Sequence, residues 1–419
     1  MKKYILIILC CLTSFPLWSY NVNMIVEHYS VDQGLPNNTV NCTLKDRDGF
    51  IWFGTWYGLC CFDGVKFKTF NKQEHDSDVP PRKIQRIVED KNGYIWVKTI
   101  DRKLYVFNKV TECFHAVYDD MKNYSENIQV IKLQNTAEGD VLLLTKDKNL
   151  LLAGVDEKGQ VTIKILFDSR DEINKHDYTL KHHVLCETEE YISWIGTDYK
   201  VSAVHKGAEL ASRPADFITS KINSGDKDSF TSFFEDGRKV WVGDRAGIFY
   251  SIDVRTGLVN RYVLSEIKGA ISNLLVTPAG YVYLSVAGQG TYEYDLAERR
   301  LQKINTEMND AMVTHAFIDQ YDKIWFHENE KALIYYDPLN HTAKRFPFTM
   351  FGKITTLYSE DAGERGLFFL SPAGEAWLFD REHAEMVYIN KLKQLSNDRA
   401  NQQFYHLMLD NDGVLWLSS

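Results

Sequence analysis

At 419 residues, 44% hydrophobic and 25% charged, the chain is too long for one ordinary core unless that core grows by repetition, and too apolar for bulk disorder. Its formal net charge of −9 comes with no basic cluster interleaved with aromatics, which excludes nucleic acid as a partner. An aromatic share of 13% favours sheets, because such side chains pack well on a pleated surface.

Residues 1–21 read as an export signal: Lys2 and Lys3 form a positive start, Tyr4 to Phe15 an apolar stretch, and Leu17-Trp18-Ser19 a small-residue cleavage region. As an uncleaved anchor the same stretch sits near the short limit for a span, and no other apolar run is long enough to cross a bilayer. Cleavage leaves Cys42, Cys60, Cys61, Cys113 and Cys186, an odd set without regular spacing. This argues for small buried hydrophobes rather than a disulfide framework. Cys60 and Cys61 are neighbours in a predicted strand, so they point to opposite faces.

The next feature is recurrence. Asp46-Arg47-Asp48-Gly49-Phe50-Ile51-Trp52-Phe53-Gly54-Thr55 is followed by Gly58-Leu59 and Phe62-Asp63-Gly64. The pattern returns at Asp90 to Thr99, in a degenerate copy at Gly139 with Leu142, then at Trp194-Ile195-Gly196-Thr197 and Trp241-Val242-Gly243. Further copies centre on Tyr283, Trp325, Phe369 and Trp416, so the key position recurs every 42 to 52 residues. That is the length of a four-stranded propeller blade. Each copy predicts strand, Asp/Asn-Gly turn, strand, Gly-containing turn, a strand ending in an aromatic-Asp pair, and a short outer strand. Strands apolar on both faces, such as Phe50-Ile51-Trp52-Phe53, must be sandwiched between neighbours, so blades stack until a ring closes.

The fold class expected is therefore an all-β propeller of seven four-stranded blades, followed by the first one to two blades of a second. Val26 to Ser30 reads as an outer strand closing the first ring over residues 22–342, and Arg345-Phe346-Pro347-Phe348 as the equivalent strand opening a second, incomplete ring over 343–419. On this reading the chain is a piece of something longer.

Gln33-Gly34-Leu35-Pro36-Asn37-Asn38-Thr39-Val40 and the Asp-x-x-Gly-Phe-Ile-Trp-Phe-Gly-Thr copies resemble two-component regulator propeller repeats, although Leu142 and Tyr283 stand where other copies carry Trp. In that family two seven-bladed propellers precede a β-sandwich, a membrane helix, a histidine kinase, a receiver and a DNA-binding domain. The resemblance implies a periplasmic sensor of oligosaccharides that self-associates as a dimer through its full sensor region and is tethered to the membrane by downstream parts. The sequence holds no phospho-acceptor His motif and no nucleotide-binding glycine box, so this chain is expected to bind rather than transduce.

No cofactor, metal or catalytic residue is expected. Counting back from Gly49, Gly93 and Gly413 puts Leu44, Val88 and Met408 where a calcium loop needs an acid. His176, His182, His183 and Cys186 fit no zinc spacing, and Asp253-Val254-Arg255-Thr256-Gly257 reads as a plain turn. No nucleophile elbow or phosphate loop is present. The alternatives to a sensor are a stand-alone structural or protein-interaction propeller, or a carbohydrate-active enzyme such as a lyase or glycosidase.

Blade geometry places the loops between second and third strands on the same face as those between blades. These loops carry Trp56, Tyr57, Asp101, Arg102, Asp198, Tyr199, Asp244, Arg245, Gln289, Glu328 and Asn329, joined by Asn37, Asn38 and Pro80-Pro81-Arg82. Aromatic planes beside amides and charges suit sugars, which present apolar ring faces edged by hydroxyls. Of these, Trp56, Tyr57, Asp101, Arg102, Tyr199, Asp244, Arg245 and Gln289 form the candidate ligand-binding rim.

Overall fold

The computed structural model describes residues 27–70, 80–122, 129–146, 149–167, 185–188, 190–195, 200–207, 217–221, 230–304, 313–351, 357–371, 374–391, 406–409 and 414–418. The expected export signal, His176, His182, His183, Asp198 and Tyr199 lie outside them.

The described residues form eight four-stranded antiparallel sheets and one two-stranded hairpin. In chain order the blades occupy 40–70, 84–116, 130–167, 185–221, 230–263, 271–303, 313–347 and 358–391, and the hairpin pairs His406–Leu409 with Leu415–Ser418. The fold is a β-propeller, and its eight and a half units match the expected count of seven blades plus one to two more. Every blade runs in simple sequence order, first strand to fourth.

In blades 1, 2, 4, 5 and 7 the second strand carries the repeated Trp, and Leu142, Tyr283 and Phe369 hold that place in blades 3, 6 and 8. Ile51–Thr55 and Ile95–Thr99 are buried along their whole length, because blades cover both faces. The core is accordingly a series of slabs, one between each pair of neighbours. Trp52 and Phe70 of blade 1 meet Ile84, Phe107 and Phe114 of blade 2. Trp241 and Phe249 of blade 5 meet Ile271, Leu284 and Tyr294 of blade 6. Cys60 lies in one slab and Cys61 in the next, as alternation along a strand requires. Cys42, Cys60 and Cys61 are buried and free, and burial pushes each thiol up to about 12.

Closure departs from the expectation. Residues 27–30 form no strand, and blade 7 already has its fourth strand, Thr342–Pro347, so the N-terminal segment finds no vacant place there. Blade 7 instead packs on blade 8, with the ring of Trp325 edge-on to Phe379 at 4.6 Å. The hairpin follows blade 8 and lies against blade 1, where Trp416 contacts Phe53 and Phe62, both at 5.8 Å, and Tyr29 stacks on it at 6.4 Å. Thr43 Oγ1 donates to Met408 Sδ across the same seam at 3.7 Å. The ring thus meets through its last hairpin rather than through residues 27–30, since hairpin and blade 1 each bury an apolar face that the other covers.

Turn chemistry explains the repeated aspartate. Asp90 Oδ1 accepts from the backbone of Asn92 (2.9 Å) and Tyr94 (3.0 Å), while Oδ2 accepts from Trp96 Nε1 at 2.9 Å. Asp46 with Trp52, Asp236 with Trp241 and Asp319 with Trp325 repeat this clip at 2.7, 2.6 and 3.2 Å. One carboxylate therefore closes the first turn and satisfies the buried indole N–H.

Candidate ligand-binding rim

Six blades share a bulge near the start of the innermost strand, which leaves Asn41, Gln85, Ile131, Thr231, Ser272 and Thr314 outside the paired register. A bulge re-aims the extra side chain. Here Asn41 Nδ2 donates to Ile84 O at 2.7 Å and Thr231 Oγ1 to Ile271 O at 2.6 Å, each lacing one blade to the next. These strand starts lie on the same face as the loops between blades and the turns between second and third strands.

Hydrogen bonds join the two loop sets as expected. Lys83 N donates to Trp56 O, Ile100 N to Lys83 O and Val130 N to Arg102 O, each at 2.9 Å, and Lys146 N to Gln129 O at 2.8 Å. A continuous backbone seam thus runs over blades 1, 2 and 3. On it stand Trp56 and Tyr57, 40% and 60% exposed. The Lys83 ammonium lies 5.2 Å from the Trp56 ring centroid. Asp101 accepts from Thr99 Oγ1 and pairs with Lys103 at 3.4 Å, and Arg102 reaches Gln129 Oε1 at 3.5 Å from a left-handed backbone, φ 69°. Beside them, between blades 2 and 3, lies a cavity of about 380 Å³ lined by Asp101, Arg102, Leu104, Tyr118, Met121 and Gln129.

The seam is basic. Arg82, Lys83, Arg86 and Arg102 are exposed on it, and Lys98 Nζ reaches Gln85 Oε1 at 2.5 Å. Lys98 stands where blades 1 and 5 have Gly54 and Gly243. Burial, then the nearby Arg102 charge, holds its pKa below the ordinary lysine value. Gln85, Arg86 and Lys98 were not picked out from sequence. Only Lys98 carried a signal, a charged residue in the strand position that blades 1 and 5 fill with glycine.

Other rim candidates take different roles. Asp244 is buried and accepts from Ala246 N (2.9 Å), Ile248 N (2.8 Å) and Tyr250 OH (3.4 Å), so it builds its own turn and is removed from the binding set. Gln289 spends its amide on the loop between blades 5 and 6, accepting from Lys268 N at 2.7 Å and donating to Glu266 O at 3.1 Å. Glu328 is buried and held by Arg345 at 3.0 Å. Asn37 and Asn38 accept from Thr39 N and Val31 N, shaping the N-terminal loop. Arg245 and Asn329 remain exposed, on blades 5 and 7.

The opposite face carries the one grouping of carboxylates that could hold a metal among the described residues, Asp46, Asp48 and Glu89. Lys109 Nζ already fills it, at 3.0, 2.7 and 2.8 Å from the three.

Residues 34–57 match the two component regulator propeller family. The matched segment runs from the N-terminal loop through two strands of blade 1 and ends on Trp56 and Tyr57, in agreement with the resemblance drawn from the repeats. No curated protein matches the chain in sequence. Among solved structures it is similar to an extracellular domain described as that of a hybrid two component system of B. thetaiotaomicron, at 14% identity and a TM-score of 0.40 over 93% of this chain. The chain spans 64% of that domain's length. It is also similar to the Dos1 propeller (13% identity, TM-score 0.49, 79% of this chain and 89% of that one) and to virginiamycin B lyase from Staphylococcus aureus (12%, 0.39, 72% and 94%).

Proposed function

We propose that this chain is a non-catalytic sensing propeller, exported to the periplasm, that binds an oligosaccharide on the seam over blades 1, 2 and 3. The observation that carries the reading is Trp56: an exposed indole on a turn whose backbone is bonded on both sides, with Lys83 against its ring. A stacking platform fixed before the ligand arrives loses little entropy on binding. Arg82, Lys83, Arg86 and Arg102 around it favour sugars bearing carboxylate or sulfate groups. Within a longer signalling protein such a module would dimerise through its full sensor region and pass ligand occupancy to parts downstream.

The test is a glycan library incubated with the purified protein, read by calorimetry for binding and by mass spectrometry for cleavage. Binding of intact acidic glycans is expected. Trp56→Ala should weaken it about tenfold, the worth of one stacking contact, while leaving the thermal midpoint nearly unchanged. Cleaved products, or unchanged binding together with a large loss of thermal stability in Trp56→Ala, would overturn the proposal.

A further inference from the structure

Blade 6 lacks the aspartate–tryptophan clip. Thr277 occupies the aspartate position and Tyr283 the tryptophan position. The Thr277 hydroxyl still closes the turn, accepting from Tyr281 N at 3.2 Å, but it has no second oxygen for a ring donor. Tyr283 OH instead donates to Glu293 Oε2 at 2.9 Å, across its own blade. Tyr336 of blade 7 donates to the same oxygen at 3.2 Å, and its hydroxyl lies 3.1 Å from His341 Nδ1. Replacing an indole by a phenol also removes volume from the slab. Between blades 6 and 7, on the face opposite the rim, there is a cavity of about 600 Å³.

Glu293 is 95% buried yet lines this cavity. Both of its hydrogen bonds fall on Oε2, and among the described residues no basic side chain pairs with it. Lys323, which also lines the cavity, is held by Asp337 at 2.7 Å. Burial, then the Glu293 charge, raises the pKa of both tyrosines, so they stay neutral donors to a carboxylate. A buried carboxylate without a cation is costly, and a cationic ligand removes that cost. The walls supply Tyr281, Tyr321, Pro278 and Leu339, which suit an apolar body, and aromatic faces attract ammonium groups.

We infer that the cavity between blades 6 and 7 binds a primary amine with an apolar body, its ammonium on Glu293 and its body against Tyr281, Tyr321 and Leu339. This site is independent of the rim.

Benzylamine and its neutral counterpart benzyl alcohol, titrated into the whole chain by calorimetry at neutral pH, test it. Benzylamine should bind about tenfold more tightly than benzyl alcohol, the usual worth of a charge-assisted hydrogen bond. Glu293→Gln should abolish that preference, and Tyr321→Ala, at an exposed position, should weaken benzylamine several-fold in a protein of unchanged near-UV dichroism. If Glu293→Gln does not fold, the amine–alcohol comparison and Tyr321→Ala decide. Equal affinity for the two compounds, no binding of benzylamine to the parent chain, or undiminished binding in a folded Glu293→Gln protein would each overturn the inference.

Discussion

Lys109 shows how much one side chain does between blades. It follows the third strand of blade 2, reaches back to Asp46 and Asp48 in the first turn of blade 1, and holds Glu89 at the end of its own blade's first strand. Lys206 makes the same clasp with Glu138 of blade 3 and Glu187 of blade 4, at 2.8 and 2.6 Å, and Arg381 with Asp319 of blade 7 and Asp361 of blade 8, at 2.6 and 2.7 Å. Burial alone would lower the Lys109 pKa, but hydrogen bonds to Asp48, Glu89 and Asp46 outweigh it and raise the value. Lys109→Met should cost about 3 kcal/mol at neutral pH, because it leaves buried carboxylates uncompensated. In the parent chain Lys109, by hydrogen bond and then by charge, depresses the Asp48 pKa. That contribution is present above the unfolded carboxylate pKa of about 4 and is lost as pH falls through the depressed folded value. The variant's deficit, measured by denaturant unfolding, should therefore be larger at neutral pH than below about pH 3. A deficit independent of pH would assign Lys109 a packing role only. The signal for the clasp was present in the sequence as a basic residue directly after the third strand, in Asn108-Lys109, His205-Lys206 and Asp380-Arg381. Its partners lie in other repeats, so the motif alone did not reveal it.

At the scale of the element, the glycine of the Trp-x-Gly strand has a packing reason. Gly243 has ordinary backbone angles, but a Cβ there would lie 2.5 Å from Ser232 Oγ and 2.7 Å from Ile271 Cγ2. The bulged first strand of blade 5 and the opening isoleucine of blade 6 converge on that spot. Gly243→Ala should destabilise by about 2 kcal/mol through overpacking, seen as a lower denaturant midpoint with an unchanged slope. A neutral substitution would mean that the blades separate easily there. Turns and strands were legible in the repeats because their chemistry is local: Gly49 and Gly93 adopt φ of 93° and 86° in the tight turns, as the Asp-x-x-Gly pattern requires. The rim was legible only as a set of loops. Hairpin logic put Trp56 and Asp244 in the same set of loops, yet Asp244 stands one position earlier, where blade 1 has Thr55. Asp244 and Thr55 both accept from the backbone N–H two residues on and are buried, while Trp56, one place further along the turn, is exposed.

For the whole molecule, the test is closure. Trp416 of the last hairpin joins Tyr29, Phe53 and Phe62, and these contacts tie the two ends of the ring together. Trp416→Ala should cost about 2 kcal/mol, less than a fully buried tryptophan because the ring is half-buried, and should speed hydrogen exchange in blades 1 and 8 before the others. Uniform exchange across all blades would show that the seam is not where the ring opens. The blade, its length, its turns and its two apolar faces follow from the sequence by itself, since each is a relation among residues a few positions apart and each recurs. Which unit meets blade 1, which loop residues stay outside and where a missing indole leaves a cavity were decided only in three dimensions. Thr43 and Met408 stand 365 positions apart, and whether they touch depends on the summed tilt of every slab between them, a quantity that no single repeat contains.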